Sequence, residues 1–286
     1  MAAPTLGDCP ARQPAGQPAL ISVVTTVRNG AATLARTIAS VRAQKIAGLD
    51  YVIADAGSTD GTLDLIRAAS DVVTYWQSEP DRGISDGFNK GIALSTGKYV
   101  ALLNADDWLS PGQLAFGLET LERTSAEFVF GDMLYHDARG SVLHRVRGDS
   151  GYAHSIGHVM PALNHPTVIV RRAAYERCGL FDPQWRFAMD YDLLLRFHRV
   201  GLRGVHDPRM LGHMMLEGAS DRNARCALRE VRDISIRHGL SPRTAFLRYG
   251  FALTKGRVRR TAEALLPNAA SVVLRHIFNH SLTGAR

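Results

Sequence analysis

The chain has 286 residues, 45% apolar and 21% charged, a composition that excludes a largely disordered protein and lets a core form without disulfides or structural metals. Its net charge of +7 is unevenly placed: from Asp221 onward thirteen Lys and Arg stand against four Asp and Glu, a net of +9, which leaves −2 on the first 220 residues. A nucleic-acid reader carries its positive charge on the folded reader, so this distribution argues against nucleic acid as a partner and for a neutral-to-acidic body with a basic C-terminal region that meets something anionic.

Residues 1–19, rich in Ala and Pro, lack the basic start and apolar core of a secretory signal and are expected to form a disordered leader. No window approaches the ~20 apolar residues of a spanning helix, so the expected location is cytoplasmic, with peripheral contact to the inner face of the membrane as the refinement. Cys9, Cys178 and Cys226 form neither a CxxC pair nor a Cys/His cluster, which speaks against a zinc site or a disulfide framework. Leu20–Val27 is a β-branched apolar run that predicts a buried strand. Asn29 then reads as the cap of a helix with Leu34, Ile38 and Val41 on its apolar face. Tyr51–Ala54 predicts a strand, Thr62–Ala69 a helix and Val72–Trp76 a third strand. Ile84, Phe88 and Ile92 mark a helix, Tyr99–Leu103 a fourth strand, and Ser110-Pro111 the start of a helix to Arg123. Such alternation with short connections predicts an α/β fold with a mostly parallel, doubly wound sheet. Beyond Glu127 the rhythm changes to a strand at Phe128–Phe130, a hairpin around Ala138-Arg139-Gly140, a strand at Val168–Val170 and a helix at Met189–Val200. Two basic helices punctuated by Gly239, Ser241 and Pro242 follow.

Ligands of open parallel sheets bind beyond the carboxyl ends of the strands. Thr25-Thr26, Asp55 and Asp106-Asp107 all fall at such ends, although any one carboxylate there could simply cap the next helix. In Asn104-Ala105-Asp106-Asp107-Trp108, two carboxylates and an amide follow a strongly apolar strand. Oxygen clusters of this kind suit Mg²⁺ or Mn²⁺ shared with substrate phosphates. Gly91–Lys98 falls short of a P-loop, with five residues between its glycines and Tyr99 where a hydroxyl should stand, and no GxGxxG is present. A nucleotide held here would need a metal for its diphosphate.

The segments ISVVTTVRNG, DAGSTDGT, SEPDRGISDGFNKGI, GKYVALLNADDW and FAMDYDLLLR, in that order, resemble the successive motifs of family 2 glycosyltransferases of the GT-A fold. The resemblance covers about residues 20–220. It implies a nucleotide-diphospho-sugar transferase fold and inverting transfer of a sugar to a hydroxyl acceptor, assisted by Mg²⁺ or Mn²⁺. A UDP-sugar is the favoured donor, and a lipid-linked glycan of cell-surface polysaccharide assembly the expected acceptor. By resemblance, Thr26 and Asp55 contact the nucleoside, Arg82 lies near the donor phosphates, Asn104, which heads the acidic motif where an Asp is commoner, also binds the donor nucleotide, and Asp106 with Asp107 holds the metal. Asp190 falls where the family keeps its catalytic base, with Met189 replacing a more frequent Glu; the alternative is that Asp190 only caps its helix. His165 is a weaker candidate for the acceptor or diphosphate, and His213 for a second metal ligand. Two rival functions remain: a metal-dependent sugar nucleotidyltransferase, disfavoured by the missing glycine-rich loop, and a non-catalytic glycan- or nucleotide-binding relative, disfavoured by retention of the carboxylates.

The expected organisation is therefore a leader at 1–19, a GT-A domain at 20–220 and a basic helical region at 221–286. Within the last, residues 243–260 mix Phe246, Leu247, Tyr249, Phe251 and Leu253 with Arg248, Lys255, Arg257, Arg259 and Arg260, which suits an anionic membrane surface. The plainer alternative is a solvated face packed on the body.

Overall fold

The computed structural model describes residues 19–137, 139–215 and 223–265; all but the last residue of the expected leader, and everything after 265, lie outside the described residues. Four parallel strands form one half of the sheet: β1 (Ile21–Val27), β2 (Asp50–Asp55), β3 (Tyr75–Ser78) and β4 (Tyr99–Asn104). Helices α1 (Leu34–Arg42), α2 (Thr62–Ala68) and α3 (Ile84–Leu94) make the crossovers. Successive side chains of a strand point to opposite faces, and β1, β2 and β4 are buried at nearly every position, so both faces of this half are covered. Val24, Val52, Val100 and Leu102 pack with Phe88 and Ile92 of α3, while Ile21, Val23, Ile53 and Leu103 pack with Leu34 and Ile38 of α1. Helix α3 lies close against β1: a Cβ on Gly91 would stand 2.2 Å from Val24 Cγ1.

The remainder comprises β5 (Trp108–Leu109), α4 (Gln113–Arg123), β6 (Phe128–His136), β7 (Val142–Val146), α5 (Tyr152–Ser155) and a 3-10 turn at His165–Thr167. These are followed by β8 (Ile169–Arg171), α6 (Arg172–Cys178), α7 (Met189–Arg199), β9 (Gly204–Met215), α8 (Ala224–Arg237) and α9 (Pro242–Leu265). The strands join one mixed sheet in the order β3-β2-β1-β4-β8-β6-β9-β5, with β7 on β6. β8 runs antiparallel to both β4 and β6, which interrupts the parallel run after β4, and β6 and β9 then pair parallel again, so the sheet is mostly parallel, as expected.

Three local expectations are corrected, and one long strand is added. Asn29 does not cap α1. It adopts a left-handed conformation, φ 51°, receives the Thr59 N–H on Oδ1 and gives its own N–H to Ser58 Oγ, tying the β1 loop to the β2 loop. Val72 and Val73 close α2 by donating to the Ala69 carbonyl, so β3 starts only at Tyr75. Ser110-Pro111 precedes a turn, and α4 starts after Gly112, whose φ of 77° marks the corner. The long strand β9 was not foreseen because Pro208 interrupts it. The register with β6 shifts between Phe130 and Asp132, and this irregularity absorbs the Asp207-Pro208 corner.

The expected boundary at 220/221 falls outside the described residues. On its far side, α8 buries Ile234 in the same core as α7.

Candidate active site

The strand register brings three of the expected residues side by side: Thr26 lies opposite Ala54 on β2 and Asn104 on β4, with Asp55 one position further. The amino end of α3 comes over this edge because Gly87 has no side chain: a Cβ there would stand 3.0 Å from both Thr26 Cγ2 and Asp81 Oδ2. A cleft forms between them, lined by Ala54, Asp55, Gln77, Asp81, Gly87 and Lys90.

Asp55 is 3% exposed. Its Oδ2 accepts the N–H groups of Gly57 (3.0 Å) and Ser58 (2.9 Å) and the Ser78 hydroxyl (2.6 Å), and Oδ1 accepts Ser58 Oγ–H. The carboxylate thus folds the loop that forms the cleft wall. Arg82 stands on the rim, exposed, donating through Nη2 to Asp86 at 3.2 Å. Lys90 pairs with Glu79 at 2.7 Å and reaches Asp86 at 3.8 Å. The hydrogen bonds from Arg82 hold the Asp86 carboxyl below its ordinary range.

At the end of β4, Asn104 Nδ2 donates to Asp107 Oδ2 at 2.9 Å, and the buried Asn104 Oδ1 has no hydrogen-bond partner among the described residues. Asp107 is 1% exposed. Burial, with the neighbouring charge of Asp106, pushes its carboxyl well above the usual range. The turn is held from α1: Thr37 Oγ1 donates to the carbonyls of Ala105 and Asp107, and Arg36 donates to that of Asp106 while lying 3.7 Å from the Trp108 ring centroid. With its backbone thus fixed, the Asp106 carboxylate makes no hydrogen bond to a described residue.

No three His, Cys, Asp or Glu side chains converge among the described residues as a closed metal cage. The open carboxylate of Asp106 and the orphaned Asn104 Oδ1 still fit a hard cation that takes its other oxygens from water and phosphate. His213 is committed elsewhere. Its Nε2 meets Ser110 Oγ at 2.8 Å, its Nδ1 meets His136 Nε2 at 2.9 Å, and its ring stacks on Trp108. Burial and the adjacent His136 push its pKa down to about 4.

Asp190 is the second residue of α7 and faces an apolar cleft lined by Leu102, His165, Val168, Val170, Tyr175 and Phe181. Its Oδ1 accepts the Tyr191 N–H at 2.8 Å; no described residue bonds Oδ2. Burial raises its pKa, opposed by His165. His165 sits on the 3-10 turn with its ring 5.4 Å from that of Phe88, its buried Nε2 has no partner among the described residues, and burial lowers its pKa. Asp192, two positions on, is occupied by Arg196 at 2.9 Å and His238 at 3.0 Å. The fold thus brings His165 to Asp190, and Thr26, Asp55 and Asn104 to the neighbouring strand ends, and leaves Arg82 at the rim. Sequence reasoning missed Glu230, which accepts the N–H groups of Arg186, Phe187 and Ala188 just before α7. The sole signal was that it is one of two acids, with Asp233, in a basic helix.

The sequence profile of glycosyl transferase family 2 matches residues 22–179. The chain belongs to that family. It is similar to an uncharacterized glycosyltransferase of Rickettsia prowazekii, 27% identical over 189 residues, covering 63% of this chain and 59% of the relative. It is also similar to a PGL/p-HBAD biosynthesis glycosyltransferase of Mycobacterium bovis, 26% identical over 185 residues, covering 62% and 69%. The chain thus spans about three-fifths of the length of the Rickettsia relative. Among solved structures it resembles S. aureus TarS 1–349 in complex with UDP-GlcNAc, with a TM-score of 0.63 at 14% identity over 81% of this chain and 72% of that one. It likewise resembles the mannosyltransferase PcManGT from Pyrobaculum calidifontis in complex with GDP-Man and Mn²⁺, with a TM-score of 0.64 at 18% identity over 96% and 85%. These likenesses establish the GT-A fold. The family match ends before Asp190.

Proposed function

We propose that this family 2 protein transfers a glycosyl group, with inversion, from a nucleotide-diphospho-sugar to a hydroxyl acceptor, with Asp190 as the base. The observation that carries the reading is the free Oδ2 of Asp190, held in an apolar cleft beside an unpartnered histidine nitrogen. Burial raises the basicity of the ionised carboxylate, which suits proton removal from an alcohol. As the acceptor oxygen bonds to the anomeric carbon, its proton passes to Asp190 Oδ2. The bond from that carbon to the donor phosphate breaks, and its electron pair leaves with the nucleoside diphosphate. His165, kept neutral by burial, orients the acceptor hydroxyl or the departing diphosphate.

The donor nucleoside is assigned to the cleft beside Thr26 and Asp55, and Arg82 swings from the rim toward the phosphates. A UDP-sugar is the favoured donor, and UDP-GlcNAc and GDP-Man in the structural neighbours support a nucleotide-sugar site. Asp106, with Asn104 and Asp107, would hold Mg²⁺ or Mn²⁺, and the mannosyltransferase with Mn²⁺ supports this choice. Such an ion, when bound, supplies positive charge to the diphosphate as it departs. The relative named for PGL/p-HBAD biosynthesis supports a lipid-linked or glycan acceptor in cell-envelope assembly. The GT-A domain is placed at 20–220 and the basic helical region at 221–286.

No helix among the described residues is long and apolar enough to cross a membrane. Helix α9 leaves Leu247 76% and Phe251 67% exposed, with Val258 also exposed, and a peripheral position at the inner face of the membrane is assigned to that face. Family membership leaves the nucleotidyltransferase alternative without support. Incubating the protein with a panel of nucleotide sugars and a lipid-linked acceptor tests the reading: nucleoside diphosphate should be released with one donor, only with acceptor and divalent metal. Release of pyrophosphate instead would reverse it.

A further inference from the structure

Helix α7 begins one residue before Asp190, and a helix start leaves several N–H groups without internal partners. Asp190 itself caps one of them, the Tyr191 N–H, through Oδ1. The approach to the helix, up to its N-cap Ala188, is held by another side chain. Glu230 of α8 accepts the Phe187 N–H at 2.7 Å and the Ala188 N–H at 2.9 Å on Oε2, and the Arg186 N–H at 3.1 Å on each oxygen. Beyond Asp190 the same helix and the turn after it hold on again. Ser235 Oγ meets the Tyr191 hydroxyl at 3.0 Å, and His238 Nε2 meets Asp192 Oδ1 at 3.0 Å. Asp190 therefore lies between two fastenings to the C-terminal region, and its own carboxylate spends only Oδ1, on the Tyr191 N–H.

We propose that Glu230 is a positioning residue for Asp190: by fixing the backbone at 186–188 it sets where α7 starts and keeps the Asp190 Oδ2 aimed into the cleft for the acceptor hydroxyl. This rests on the reading of Asp190 as the base. It also makes helix α8 part of the active site's support, although the residues involved lie past the family match at 22–179. Three titratable groups face Asp190: His165 from the 3-10 turn, Tyr175 from α6 and Glu230 from α8. The negative charge of Glu230 disfavours ionisation of Asp190, as a nearby like charge must.

Glu230→Gln keeps the shape, loses the charge and retains one acceptor oxygen. Its kcat should fall on the order of ten- to a hundred-fold, because small misplacements of a reacting group are costly, while the donor KM stays within about two-fold of the parent. The acid limb of its pH–kcat profile should move to lower pH. Glu230→Asp, which keeps the charge, should leave that limb in place. Ser235→Ala serves as the control for plain helix docking: it should lower Tm and leave the limb and the donor KM unchanged. Should Glu230→Ala fail to fold, the Gln and Asp variants still decide. A folded Glu230→Gln enzyme with parental kcat and an unmoved acid limb overturns the proposal. If Asp190→Asn is inactive in the same assays, the base reading survives that loss; if Asp190→Asn is active, the base reading itself is wrong.

Discussion

Asn104 and Asp106 illustrate how a strand end becomes a candidate metal site one atom at a time. The amide nitrogen of Asn104 is used on Asp107, its oxygen is buried and orphaned, and the Asp106 carboxylate is free because Arg36 and Thr37 hold the turn by its backbone. A buried polar atom without a partner costs about 1–3 kcal/mol, a cost that a bound cation would relieve. Asp106→Ala is therefore expected to weaken Mn²⁺ binding in the presence of a nucleoside diphosphate by about ten-fold or more. Electron paramagnetic resonance of free against bound Mn²⁺ reads this without relying on turnover, and parental binding would remove Asp106 from the site. The pairing of Asp106 with Asp107 was legible in the sequence, but their division of labour was not. The burial of the second beside a half-buried first depends on α1 contacts seventy residues away in the chain.

At the level of elements, the first four strands and their helices were legible because period and punctuation agree: β-branched runs, short turns and apolar faces at helical spacing. The elements that escaped are those whose local signal contradicts their place. β5 is two residues long, and β9 carries a proline that only a register shift against β6 accommodates. Asn29 carries the composition of a cap, yet its side chain serves a loop across the sheet. Helix α9 was read as a mixed aromatic and basic face, and the structure divides it. Phe246 and Tyr249 lie 4.6 and 5.0 Å from the Arg232 guanidinium of α8, and Arg248 donates to the His158 carbonyl, so these serve packing. Leu247, Phe251 and Val258 recur at spacings of four and seven and share the outer face. Replacing all three with Ser should reduce binding to liposomes containing anionic lipid by about ten-fold or more, since each loses apolar burial that salt does not screen. Turnover of a soluble acceptor analogue should stay within about two-fold, because that face touches no proposed catalytic residue. Unchanged sedimentation with the vesicles would refute the membrane assignment.

For the molecule as a whole, the site is assembled from distant parts of the chain: donor-side residues from the parallel half of the sheet, the acceptor cleft from the segments after β4, and the support of the base from α8. Motifs name the first, and only packing reveals the last. The proposed chemistry converges on Asp190, whose raised pKa means that the fold favours its neutral form. Keeping it ionised near neutral pH therefore lowers stability relative to the unfolded chain, a loss that is relieved as pH falls through the folded-state value. Asp190→Asn keeps the acceptor for the Tyr191 N–H and removes both the proton acceptor and the buried charge. The measurement that decides is single-turnover transfer by Asp190→Asn alongside donor affinity and Tm. Transfer should fall by about 10²–10⁴-fold, donor binding should be retained, and Tm should equal or exceed the parent's. Transfer at the parental rate, or a loss of donor binding together with a lowered Tm, would show that Asp190 is a structural cap and not the base.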